Sequence, residues 1–234
     1  DVAPSRGLGD VYKRQAQMGE VFGKYETGEY NKTGLVRDIN TQVKRILKVA
    51  TDYGFDDNLW HNYLTFFLMM SENPFSMTCE KVGASDGSVN ELVENDFRIF
   101  KDLFDYDFGP IEKDLGINCF SQISNYKAIH KKDLMYNKNV SEKVRSLSKK
   151  LEAAKDEKEF FDAVTGFYKD YGVGMFGLNK AFRIDDTPQG SFTFRAINNM
   201  DTVMLDDLVG YEIQKKKLVD LSLIHISEPT RRSY

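Results

Sequence analysis

The chain has 234 residues, 41% of them hydrophobic and 13% aromatic, with 32 Lys and Arg against 36 Asp and Glu for a net charge of -4. Such an apolar share sustains a core, and only 17 Gly and 5 Pro exclude a low-complexity or collagen-like chain. The acidic balance excludes a broad positive field for nucleic acid or an anionic membrane, and two cysteines without a CxxC, Cys79 and Cys119, exclude a disulfide scaffold or zinc finger and fit a reducing cytoplasm.

The predicted elements begin only after an unusual N-terminus. Residues 1–15 lack an apolar core and a cleavage site, so they do not read as a signal peptide. From Thr33, the residues Leu35, Val36, Ile39, Val43, Ile46, Leu47 and Ala50 recur at helical spacing, with Gly54 as the stop. Asp56 or Asp57 is placed to cap the next helix, which carries the apolar run Leu59 to Met70 and ends before Pro74. That run contains polar residues and is shorter than the ~20 residues that span a bilayer, so it predicts a buried helix. A turn or two is expected over Phe75 to Lys81. Ser88 and Glu91 form a capping-box pattern ahead of an apolar face made by Val89, Leu92, Val93, Phe97, Phe100, Leu103 and Phe104.

Short helices are expected around Ile111 to Leu115 and Phe120 to His130. Val140, Val144, Leu147 and Leu151 mark another, and Asp156 with Glu159 opens one that runs through Phe160, Val164, Phe167 and Tyr168. Lys149, Lys150, Lys155 and Lys158 alternate with Glu152, Asp156, Glu157 and Glu159, which suits an exposed, salt-bridged helix pair. The period changes after Tyr171. Ala181 to Ile184 and Ser191 to Ile197 read as two strands of a hairpin around the turn-rich stretch Asp185 to Gly190. A charged helix then begins near Tyr211 and covers Glu212 to Leu218.

Most candidate motifs have ordinary readings. Gly172, Gly174 and Gly177 spell GxGxxG, but a dinucleotide site needs a strand before it and a helix after it, whereas here a helix precedes and a strand follows. The glycines are better explained as residues that let the chain leave one layer for another. His61 lies among large apolar neighbours and His130 has no acid or nucleophile partner near it in sequence, so neither is assigned catalysis. Asp102, Asp105 and Asp107 read as a solvated face. No residue is assigned a catalytic or metal-ligating role. No GxxxxGK[ST] occurs, so a phosphate cradle with its lysine is missing from the sequence.

The informative segment is 205–212, LDDLVGYE, followed by the basic run Lys215, Lys216 and Lys217. Together with Lys180 to Ile184 and the hairpin upstream, it resembles a family of predicted AAA+ ATP-binding proteins of unassigned role. The resemblance is specific over about 180–218. It implies that Val209, Gly210 and Tyr211 contact the adenine base, that ATP and Mg are the cofactors of the full-length parent, and that a Walker A loop follows within a few tens of residues. Walker A, Walker B, sensor residues and an arginine finger are all missing, so this polypeptide alone is expected to be inactive as an ATPase, with neither cofactor binding it tightly. An ordinary alternative is an N-cap at Asp206 or Asp207, with Gly210 opening the helix.

The two ends, DVYKRQ at 10–15 and SLIHISEPTR at 222–231, resemble translated sequencing-adapter read-through at the edges of metagenomic reading frames. Setting aside 1–15 and 221–234 leaves 27 basic against 33 acidic residues, net -6. The expected organisation is therefore an artefactual terminus over 1–15, a helical domain over 16–177, a hairpin and linker over 178–204, the start of an AAA+ nucleotide-binding module over 205–220, and an artefactual tail over 221–234. The expected fold class is mainly α, with a short hairpin and the start of an α/β module. The alternative function is a helical protein-interaction or regulatory module without catalysis, its partner a protein bound through the helices and its motive the large aromatics Trp60, Phe66, Phe97 and Phe100. Neither nucleic acid nor a membrane is an expected partner, and an oligomeric parent is compatible with the resemblance.

Overall fold

The computed structural model describes residues 19–84, 88–128, 137–186, 192–197, 205–207 and 209–227, with side chains omitted at 88–92, 94, 186, 206 and 222–227. It is mainly helical with one short antiparallel hairpin. The elements are α1 (19–27), α2 (Lys32–Tyr53), α3 (Leu59–Met70), α4 (Pro74–Val82), α5 (Ser88–Phe104), α6 (Gly109–Leu115), α7 (Cys119–Ser124), α8 (Lys138–Ala153), α9 (Glu157–Tyr171), α10 (Gly174–Leu178), β1 (Phe182–Asp186), β2 (Phe192–Ala196) and α11 (Glu212–Ser227). They fall into two compact units, 1–199 and 200–234.

The first unit is built around α3, whose apolar residues leave it no solvent face; such a helix can only lie inside. Helices α2, α5, α7, α8 and α10 pack against it, while α9 lies against α4, α5 and α8. Phe22, Trp60, Phe108 and Phe120 form one aromatic cluster, and Phe75, Phe97, Phe104, Phe160 and Phe161 form another. Burial of each large apolar side chain of this kind stabilises by about 1.5–3 kcal/mol. The polar tips inside are satisfied. Trp60 Nε1 donates to the Leu103 carbonyl at 2.8 Å, and the Tyr168 hydroxyl donates to that of Leu68 at 2.8 Å. Burial pushes the Tyr168 hydroxyl well above its ordinary pKa.

Capping chemistry explains the helix limits. Asn31 and Asn73 accept from backbone N–H groups at the starts of α2 and α4, and Asn73 and Ser76 cap each other reciprocally. Gly54 ends α2 in the left-handed conformation. Asp156 caps α9 by accepting from Glu159 N at 2.8 Å. The cap of α3, however, is Asn58 and not Asp56 or Asp57. Asp57 has φ 71 and pairs through its backbone with Tyr126, while the carboxylate of Asp56 accepts from Ala128 N, so both aspartates are engaged in joining this turn to the chain after α7.

Other boundaries also move. Helix α1, which the sequence reading leaves out, buries Val21 and Phe22 and is tied to α6 by the Tyr25 hydroxyl donating to Asp114 at 2.7 Å. That bond raises the Tyr25 pKa to about 12. Helix α4 is a full nine residues, and α7 ends at Ser124, with Asp57 and Tyr126 making a bridge where more helix is expected. The capping pattern at Ser88 and Glu91 lies outside the described side chains, as His130 lies outside the described residues. Lys149, Lys150, Lys155 and Lys158 make no ion pairs among the described residues. They and their acidic neighbours lie on α8, on α9 and in the turn between them.

In the hairpin, Phe182 pairs with Ala196, Ile184 with Phe194 and Asp186 with Phe192. Directly paired residues share a face, so one side of the ribbon is largely apolar; the other carries Arg183, Asp185, Thr193 and Arg195. Phe176 of α10 packs on the apolar side against Phe182 and Phe194, while Ile184 and Phe192 stay exposed. On the polar side Arg195 holds Asp185 through two N–H groups, at 2.8 and 3.1 Å.

In the second unit a 3-10 turn, Leu205–Asp207, precedes α11. The backbone of α11 stays helical to Ser227, well past Leu218, because no Pro or Gly interrupts the sequence before Pro229. Among the described residues no helix is long and apolar enough to cross a membrane.

Candidate functional site

Two glycine-bearing turns carry the sequence-derived hypotheses. The first, 172–177, links α9 to α10. Gly172 has φ 80 and its N–H bonds the Tyr168 carbonyl at 2.9 Å, and Gly174 has φ 69. The Val173 N–H donates to the Glu80 carboxylate at 3.1 Å. A Cβ on Gly174 would run into the carboxylate of Glu72, and one on Gly177 would run into the backbone of Gly172. Two internal carboxylates therefore occupy the space an anion would need, and the helix that follows has only five residues. Lys143 closes the turn from outside by donating to the Gly177 carbonyl at 2.9 Å, and its partial burial lowers the ammonium pKa. This turn is an elbow in the chain with no room for a phosphate.

His61 is likewise absorbed by structure. Its ring stacks on Phe104 with centroids 4.2 Å apart, and Nε2 lies 2.8 Å from the Phe104 carbonyl, which fixes the proton on Nε2 because a carbonyl only accepts. Nδ1 is buried without a hydrogen bond, 3.9 Å from a Glu152 oxygen. Desolvation lowers the imidazole pKa, opposed by the Phe104 carbonyl and by Glu152 and Asp105. Of the aspartates read as a solvated face, Asp105 pairs with Lys101 and Asp107 accepts from Gly109 N at 2.8 Å in the turn that leads into α6. Both cysteines are free thiols, raised in pKa by burial. Among the described residues no group of three or more His, Cys, Asp or Glu could hold a metal ion.

The second turn contains the three residues assigned to adenine. Val209 is 95% exposed and Tyr211 70% exposed. Gly210 has φ 84 and Tyr211 has φ 60, the latter an uncommon backbone for a bulky side chain. The Tyr211 carbonyl accepts from Lys215 N at 2.9 Å, so Tyr211 closes the first turn of α11, and Glu212 follows it, bonded to Lys215 at 3.0 Å. Asp206 and Asp207 precede this point by several residues, and the left-handed Gly210 is outside the helix. Neither aspartate is at the N-cap. An aliphatic and an aromatic side chain thus flank a glycine at the mouth of a 16-residue helix, all three open to solvent and with no atom within 4 Å of where a Gly210 Cβ would stand. The arrangement can contact a flat apolar ligand edge and offers no acid, base or nucleophile of its own. No protein-family model, curated protein or solved structure matches this chain.

Proposed function

We propose that residues 205–220 open the nucleotide-binding module of an AAA+ ATP-binding protein of the family of unassigned role, with the helical region ahead of it. The observation that carries this is the LDDLVGYE segment, whose Val209, Gly210 and Tyr211 present exposed apolar surface around a left-handed glycine. A glycine lets a base approach the backbone, and the flanking side chains supply a face for it. ATP and Mg would be bound mainly by a Walker A loop beyond residue 220 and by a Walker B acid. The 234-residue chain has neither, so it binds nucleotide weakly and does not hydrolyse it. A cytoplasmic location accompanies this proposal, resting on ATP use and on unpaired thiols.

Recovery of the longer reading frame is the test. It is expected to encode GxxxxGK[ST] within a few tens of residues after Asp220, and the longer protein is expected to bind and hydrolyse ATP while the present chain does not. Tyr211→Ala in the longer protein should weaken ATP binding about tenfold and leave tripolyphosphate binding unchanged, because only the former has a base. A longer frame without the loop motif rules the proposal out. The alternative of a protein-binding helical module needs apolar surface on the helices, but Trp60, Phe66 and Phe97 are buried in the core and Phe100 is half-buried.

A further inference from the structure

We infer that the outer edge of β1 is a self-association site, at which a second copy of this chain pairs antiparallel about a two-fold axis at Ile184 and extends the hairpin into a four-stranded sheet. The inference is independent of the nucleotide reading. A two-stranded ribbon is marginally stable in water, and sheets gain their stability from three strands or more. Among the described residues nothing pairs with the outer edge of β1. On the apolar side of the ribbon Ile184 is 62% exposed and Phe192 58% exposed, since Phe176 packs only against Phe182 and Phe194.

The ladder inside the hairpin fixes which backbone groups the edge presents. The Ile197 N–H donates to the Ala181 carbonyl at 3.0 Å, and antiparallel pairing alternates, so the N–H and C=O groups of Arg183 and Asp185 turn inward to Arg195 and Thr193. Those of Phe182, Ile184 and Asp186 therefore point outward. A two-fold axis at Ile184 sets Ile184 against the same residue of the second copy, and Phe182 against Asp186 of that copy, as hydrogen-bonded pairs.

Charge selects this register and this partner. Arg183 and Asp185 flank Ile184 on the polar side of the ribbon, so at each of two symmetric positions Arg183 of one copy stands opposite Asp185 of the other. These are the non-hydrogen-bonded positions, where Cα atoms come within about 4.5 Å and side chains are closest. Moving the axis to Arg183 or to Asp185 keeps the backbone phase but sets like charges against each other. Within one chain Arg183 faces Arg195 across the ladder, an unfavourable like-charge pair, and makes no ion pair among the described residues, while Arg195 holds Asp185. A second copy supplies the carboxylate that Arg183 lacks and covers the exposed Ile184 with its equivalent. The outer edge of β2 has no such match, because an axis at Phe194 sets Thr193 against Arg195.

The test is sedimentation equilibrium of the 234-residue chain from about 10 μM to about 1 mM, where a reversible monomer–dimer equilibrium is expected with a dissociation constant on the order of 0.1 mM, as suits a small interface. Arg183→Asp should weaken the dimer about tenfold or more, because two carboxylates then meet at each contact. Within its own chain the new carboxylate faces Arg195, so the hairpin is not weakened, and far-UV circular dichroism verifies the fold. Adding Asp185→Arg to Arg183→Asp restores opposite charges at both contacts and should return the dimer. Ile184→Pro removes an outward N–H without touching the ladder between β1 and β2, and should abolish it. A chain that stays monomeric to about 1 mM, a dimer indifferent to Arg183→Asp or to Ile184→Pro, or a double variant as weak as the single one would each overturn the inference.

Discussion

The turn at 172–177 and the turn at 209–211 are alike in letters and opposite in use. Both contain glycine at positive φ next to the start of a helix, yet in the first the surrounding space is taken by Glu72, Glu80 and the chain itself, while in the second nothing approaches Gly210. Glycine spacing therefore says that the backbone bends sharply; what fills the space around the bend decides whether a ligand can enter.

The largest effect should come from filling the closed turn. Gly177→Val forces a branched side chain into the Gly172 backbone and should destabilise the first unit by about 2–4 kcal/mol, measured by urea unfolding followed by far-UV circular dichroism. Glu80→Ala comes next. It strips the buried Val173 N–H of its acceptor and should cost about 1–3 kcal/mol, with Glu80→Gln closer to wild type because the amide oxygen still accepts.

A pH series separates the regions in another way. The folded state holds the His61 pKa below the ordinary imidazole value of 6.5, so the unfolded chain takes up the proton first on acidification. The stability contributed by neutral His61 is thus fully present above pH 6.5 and falls as the pH drops below it. Unfolding midpoints compared at about pH 7 and pH 5.5 should show this loss in wild type and less of it in His61→Gln. The smallest effect belongs to the open turn. Gly210→Ala meets only the backbone preference at φ 84, about 1 kcal/mol confined to the start of α11, and should leave the unfolding midpoint of the first unit unchanged. A large shift there would show that the two turns are less different than their surroundings suggest.

Helix existence was legible wherever apolar residues recurred with a cap at one end, as from Leu35 to Gly54 and from Asp156 to Tyr168. The hairpin was legible from alternation, although Asp185 and Asp186 lie in β1 and not in the turn. What escaped depended on partners distant in sequence. Helix α1 is stabilised by α6 and the aromatic cluster, and Asp56 and Asp57 were drawn away from capping by Tyr126 and Ala128, some seventy residues on.

Trp60 is the only tryptophan in the chain, and it is buried among Phe22 and Phe108 with its indole N–H held by Leu103. The protein thereby carries its one indole, which can be excited selectively over tyrosine, in the helical unit and no tryptophan in 200–234. Its emission should be blue-shifted in the native state and move to the red only when the packing between α1, α3 and α5 is lost. Light emitted by this one indole reports the integrity of the helical core without interference from the region that carries Val209 and Tyr211.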